Sequence, residues 1–208
     1  MNTMKLSGVT RANGGTYENV EIEGVATVNG DIVCKEMHIE GVSTFEGNID
    51  CSELYVEGTC KVSGAIKSTV CKLAGLLNVG QDLEAETFSG TGSFQIGGTL
   101  NAEIVDVRFV YGSNVREICG QDITIYKENT HAAAEFLMDL IPWRHKGKSF
   151  QSSLIEGDSV DIEYVNSGVV RGKRLIIGPE CQIELVEYHE SIDIHPSAKV
   201  KSIVKLET

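Results

Sequence analysis

Aromatic residues make up 6% of this chain, and proline occurs three times in 208 residues. Set against 22 glycines, that scarcity disfavours both a proline-rich linker and a helix-rich catalytic domain, and suits a chain that turns often. No apolar run approaches the roughly 18 residues needed to cross a bilayer. The opening MNTMKLSGVTRANGG lacks the apolar segment of an export signal. The six cysteines (Cys34, Cys51, Cys60, Cys71, Cys119 and Cys181) contain no CxxC pair, which removes the usual mark of a zinc or thioredoxin-like site. Positive charge is short as well. Eighteen Lys and Arg against 30 Asp and Glu leave a net charge of −12, and such a surface repels nucleic-acid phosphates and anionic lipid. No GxSxG, P-loop or GxGxxG motif occurs in a strand–helix setting. These absences lead to the expectation of a cytoplasmic chain with reduced thiols, no cofactor, no metal and no nucleic-acid partner.

What the sequence does have is a repeat, the feature to seek before any local assignment. Val20–Cys34 (VEIEGVATVNGDIVC), Met37–Cys51 (MHIEGVSTFEGNIDC) and Leu54–Ser68 (LYVEGTCKVSGAIKS) align column by column. Gly24, Gly41, Gly58, Gly75 and Gly92 recur every 17 residues; so do Val28, Phe45, Val62, Val79 and Ile96, and so do Ile32, Ile49, Ile66, Leu83 and Leu100. Within a unit, apolar and small residues alternate with polar ones, the mark of strands with one face buried. Seventeen is odd, so each unit spends one extra residue at a corner. Lys35-Glu36, Ser52-Glu53 and Thr69-Val70 stand where that step falls. A unit this short has no room for a hairpin plus a helix. It fits one turn of a parallel β-helix, an all-β solenoid with 17-residue rungs stacked at the strand spacing of about 4.8 Å. The glycine column then marks corners where a side chain would obstruct the bend.

Two further columns carry reactive groups. Cys34, Cys51, Ser68, Ala85, Ala102 and Cys119 fall at intervals of 17 and read as a narrow internal corner that wants small side chains. A Cys34–Cys51 disulfide is geometrically open to neighbouring rungs, though a reducing compartment opposes it. Glu23, Glu40 and Glu57 form an outward column. Stacked carboxylates are able to hold calcium, but a solvated acidic face is the simpler reading.

The pattern blurs near Ser113–Glu117, and residues 130–143 (THAAAEFLMDLIPW) change period. Ala133, Phe136, Leu137, Leu140 and Ile141 recur at helical spacing, with Thr130 as N-cap and Pro142 as stop. Arg144, Lys146 and Lys148 follow. The expectation is a short helical insertion that covers a flank or end of the solenoid. Alternatively, its Phe136, Leu137, Leu140, Ile141 and Trp143 form a docking segment or membrane tether. Alternation returns afterwards, and 175–188 aligns with 192–206 at 17 residues. The organisation expected is 1–127 N-terminal rungs, 128–152 insertion and basic loop, and 153–208 C-terminal rungs, in one continuous or closely packed solenoid. Ile177-Gly178 with Ile183, and Ile194-His195 with Val200, have the six-residue spacing of left-handed β-helix acyltransferases. His189 and His195 are the histidines that such an enzyme would use.

The EG-punctuated rungs NVEIEGVATVNGDIVC, EMHIEGVSTFEGNIDC and ELYVEGTCKVSGAIKS resemble the bactofilins, bacterial cytoskeletal proteins. RLIIGPECQIELVEY and SIDIHPSAKVKSI look like rungs of the longer members. The resemblance implies a right-handed, roughly triangular β-helix that catalyses nothing. It also implies nucleotide-independent polymerisation into filaments that organise cell envelope, shape or motility machinery, with the chain itself and other bactofilin-like or envelope proteins as partners, in the cytoplasm or at the membrane. Solenoid physics points the same way: an uncapped end offers unpaired strand groups and an apolar bore. The expected contacts are Leu6 and Val9 at one end and Val200, Ile203 and Val204 at the other. The alternatives are the acyltransferase, which would be a closed trimer with pockets between subunits, and a monomeric β-helical adaptor.

Overall fold

The computed structural model describes residues 2–128 and 149–207. The helical spacing at 130–143, with Phe136, Leu137, Leu140, Ile141 and Trp143, lies outside the described residues.

Alternation dictates strands, and the described residues hold fifteen of them, from β1 (Thr3–Leu6) to β15 (Lys199–Lys205), all hydrogen-bonded into one sheet. Every ladder is parallel, and each pairs a strand with its equivalent one turn on. Met4 stacks on Val20, Val20 on Met37, Met37 on Leu54, Leu54 on Cys71 and Cys71 on Phe88. Val105 stacks on Ile123, then Ile123 on Val160, Val160 on Leu175 and Leu175 on Ile192. The described residues thus form an all-β parallel solenoid of about 11 turns. Ile123 pairs directly with Val160, so the turns after residue 149 continue the same stack. The matches Leu175/Ile192, Ile177/Ile194, Ile183/Val200 and Val186/Ile203 are all in the ladder.

The bore is filled by the inward parity. Val20, Ile22, Val28, Ile32, Met37 and Ile39 are buried, whereas Glu23, Asn29, Asp31 and Lys35 between them are exposed. One apolar core cluster runs from Met4 to Val186. Its middle is aromatic: Phe88 meets Phe94 edge-on at 5.2 Å between centroids, and Phe150 lies 5.7 Å from Phe94 and 5.9 Å from Phe109. Burying rings of this size dominates the local energetics, at about 3–5 kcal/mol for loss of each.

The glycine column is explained by backbone approach. A side chain on Gly41 would drive into the carbonyl oxygen of Gly24; Gly58 stands in the same relation to Gly41, and Gly75 to Gly58. The corner therefore stacks backbone directly on backbone, which only glycine allows. A second corner is held by side-chain amides and carboxylates. Asp31 Oδ1 accepts the backbone N–H of Asn48 at 2.7 Å, Asn48 Oδ1 accepts that of Ala65 at 2.9 Å, and Asp82 Oδ1 that of Thr99 at 2.7 Å. Each bond satisfies an N–H that a bend takes off the ladder.

The cysteine column holds only in part. Cys34, Cys51 and Ser68 are in register, but Cys119 pairs with Asn101 rather than Ala102. The cause is the longer connection at Tyr111–Ser113, after which Gln95 pairs with Asn114, 19 residues on, and, past a register shift between Ile96 and Thr99, Leu100 pairs with Ile118, 18 on. Ser93 Oγ accepts the Tyr111 N–H and Ser113 Oγ the Phe94 N–H, both at 3.1 Å, which satisfies donors that this connection displaces. Cys119 is accordingly half-buried rather than inward.

Candidate functional site: the two ends of the stack

An interior turn has both of its hydrogen-bonding edges satisfied; a terminal turn has one. Among the described residues, β1 pairs only with β3 (Asn19–Ile22), β2 (Val9–Thr16) only with β4 (Val25–Ile39), and at the other end β15 only with β14 (Gln182–Ile194). The first and last turns therefore present open backbone edges, the arrangement that templates further strand addition.

The side chains at these edges divide by parity. Leu6 belongs to the inward column of Ile22 and Ile39 and is buried. Val9 heads an outward column with Val25 and Val42, and is 89% exposed. At the C-terminal end Val200 and Ile203 continue the inward columns of Ile183 and Val186. Val186 is fully buried, yet Ile203 one turn on is 50% exposed, with no turn stacked on it among the described residues. Val204 pairs with Glu187 on the outward parity and is exposed there. The open bore is thus Ile203 with its partly buried neighbours Ile192, Ile194 and Val200. The opposite end is closed more tightly by Met4 and Leu6, each 8% exposed.

The other residues singled out by sequence do not converge. Glu23, Glu40 and Glu57 are exposed along one corner, and among the described residues no group of three or more His, Cys, Asp or Glu is arranged to hold a metal. His195 lies exposed, its Nδ1 3.0 Å from Ser197 Oγ. His189 sits in the bulge between Tyr188 and Ser191, its Nδ1 buried without a partner. Burial pushes the Cys60 thiol up to about 12 and the Cys181 thiol up to about 11, as expected of core cysteines rather than nucleophiles. Sequence reading missed the Asp31–Asn48–Asp82 corner caps. Their signal was there: polar side chains at multiples of 17, each within two residues of a glycine. No described helix is long and apolar enough to cross a membrane.

The fold and its open ends define a parallel β-solenoid of stackable turns. Residues 1–76 match the family model of the bactofilins, described as polymer-forming cytoskeletal, and the EG-punctuated rungs quoted above lie within that match. The chain is also similar to two proteins of Bacillus subtilis (strain 168), both uncharacterized. It is 38% identical to YhbF over 94 residues, which is 45% of this chain and 35% of that protein. It is 46% identical to YhbE over 55 residues, 26% of this chain and 23% of that protein. The matched region therefore spans about a third or less of these relatives. No solved structure matches.

Proposed function

We propose that this chain is a non-enzymatic cytoskeletal scaffold that polymerises end to end, without nucleotide, in the cytoplasm or against the membrane. The observation that carries the reading is Ile203, an inward residue of the bore left half exposed on a terminal strand that is paired along one edge. A second copy seated on that turn would bury it and pair the β15 edge in one step, an apolar gain of about 25 cal/mol per Å² together with hydrogen bonds. The bactofilin match over residues 1–76 supports self-assembly, and the lack of a phosphate-binding loop in the sequence fits nucleotide independence. Parallel crossovers favour the right-handed coil. The organisation proposed is a single stack of rungs 1–127 and 153–208 around residues 128–152, with the C-terminal rungs entering the ladder already at Phe150. Phe136, Leu137, Leu140, Ile141 and Trp143 are the proposed segment for recruiting envelope proteins or a membrane.

The test is negative-stain electron microscopy with light scattering across concentration, on the wild type and on Ile203→Asp and Val204→Asp. Filaments that dissolve in Ile203→Asp with the circular dichroism of the fold unchanged support the C-terminal seam. Val204→Asp, on the outer face of the same turn, weakens assembly less. A closed trimer with no open-ended species, or filaments unaffected by Ile203→Asp, would overturn the reading.

A further inference from the structure

Cys34 and Cys51 stand in register on adjacent turns, and parallel strands set about 4.8 Å apart place their Cα atoms inside the bridging range. Both thiols are free, and both border a surface groove of about 460 Å³, lined also by Asp50, Lys67, Glu84 and Glu86. The interaction between the two thiols lowers that of Cys34, and together with burial it raises that of Cys51. Cys34 is thereby the better nucleophile and Cys51 the adjacent proton donor. The other cysteines lack this arrangement. Cys60, Cys71 and Cys181 are core residues raised by burial; Cys119 is more accessible but is likewise raised, and its register partners are Asn101 and Glu156.

We propose that Cys34 and Cys51 form a peroxide-sensitive dithiol that staples the second and third turns of the solenoid. The Cys34 thiolate attacks one oxygen of a hydroperoxide entering by the groove. An S–O bond forms, the O–O bond breaks, and the second oxygen leaves with a proton as an alcohol or water. The resulting sulfenic acid is attacked by Cys51: the S–S bond forms, the S–O bond breaks, and hydroxide leaves with the Cys51 proton as water. Two thiols have lost two electrons, and the peroxide has gained them. Side chains in register at the rung spacing are farther apart than the Cβ separation of about 3.8 Å that a relaxed disulfide prefers. The bridge is therefore strained and readily reduced, as regulatory disulfides are.

The test uses the reduced full-length chain, treated with one equivalent of hydrogen peroxide and then examined by thiol titration under denaturing conditions and by non-reducing peptide mass spectrometry. Titratable thiols should fall by two, with a linked Cys34–Cys51 peptide pair that dithiothreitol reverses. Cys51→Ser should stop at a dimedone-trappable sulfenic acid on Cys34, and Cys34→Ser should leave Cys51 unreacted. Both variants should fold, because Ser68 already occupies the same column one turn on. Reaction confined to Cys119, an intermolecular dimer, or dimedone labelling of Cys34 in the wild type without a linked peptide would each overturn the proposal. A Cys119→Ser background separates these outcomes.

Discussion

The two ends of this solenoid close the same bore with different corners. From Val20 to Val105 the buried column repeats every 17 residues, whereas Val160 and Leu175, stacked on each other, are 15 apart. In the first region glycine lets backbone rest on backbone at one corner, and Asp31, Asn48 and Asp82 cap the next. In the second, one turn is shorter, before the spacing returns to 17 at Leu175–Ile192. Ile162 reaches Val165 through Tyr164, held at φ +56°, and Glu180 takes φ +57° in the following turn. Such left-handed conformations cost a non-glycine residue about 1–2 kcal/mol. The second region also lays charge across its turns: Arg171 joins Glu156 at 3.2 Å and Glu187 at 2.7 Å, and Lys173 joins Asp158 at 2.8 Å. The first half thus repeats close approach at every turn, whereas the second keeps one such contact, Gly172 against the Gly157 carbonyl, and adds strained residues and side-chain ladders. The family match falls within the first half, at residues 1–76, where the corner glycines recur most regularly.

The sharpest way to break this comparison is a methyl group. Gly58→Ala sets a Cβ against the Gly41 carbonyl with backbone above and below, so no side chain can yield. We expect a loss of about 3 kcal/mol, the upper range for overpacking. Gly168→Ala places its Cβ 2.8 Å from the Ser153 carbonyl oxygen, a milder intrusion expected to cost about 1 kcal/mol. Urea midpoints of the two variants compare them directly. Hydrogen exchange shows whether the damage stays in the affected turns, since long repeat arrays need not unfold as one unit. Equal losses would mean that the two halves close their corners alike.

The first half was the more legible for the same reason that it is the less tolerant. A constraint repeated at every turn writes itself into the sequence as a column: Gly24 to Gly92, the inward Ile32 to Leu100, and the single parity break at Lys35-Glu36 and its successors. The assignment of Cys119 to the cysteine column failed because Tyr111–Ser113 adds residues without disturbing local alternation, and only register reveals it. In the second half the step at Tyr164 carries no glycine and went unmarked, whereas Glu180 follows Gly178-Pro179, a turn signal that reading by columns passed over. At the ends, the pattern picked out Val200, Ile203 and Val204 together. Their division between bore and outer face follows from the pairing of Val186 with Ile203 and Glu187 with Val204, adjacent apolar residues that composition alone cannot tell apart.

A smaller effect is expected where a side chain, rather than glycine, makes the corner. Asn48 accepts from Ala65 N–H and donates to Asp31 Oδ1 at 3.0 Å, and it is exposed to water. Asn48→Ala leaves the Ala65 N–H to be solvated instead, at a cost of about 1 kcal/mol. Asn48→Asp keeps the acceptor but places a carboxylate beside Asp31, so it should rescue only at high salt, where the repulsion is screened. The check is thermal unfolding of both variants with and without salt. Full rescue by Asp at low salt would show that the 17-residue column is indifferent to charge.

The smallest effect should come from the ladder that most distinguishes the second half. Arg171 bridges two carboxylates on neighbouring turns, which raises its guanidinium's affinity for a proton, but its side chain is partly exposed. Solvent screening limits such pairs to about 1 kcal/mol or less even when two are linked. Arg171→Met preserves much of the apolar stem that packs on the sheet and deletes the charge. It should lower stability by less than about 1 kcal/mol at low ionic strength, and by nothing measurable in 1 M salt, where the screening length shrinks to about 3 Å. Parallel denaturation curves at the two salt concentrations decide the matter. A loss that persisted in high salt would assign Arg171 a packing role, and the second half would then resemble the first, held by contact rather than by charge.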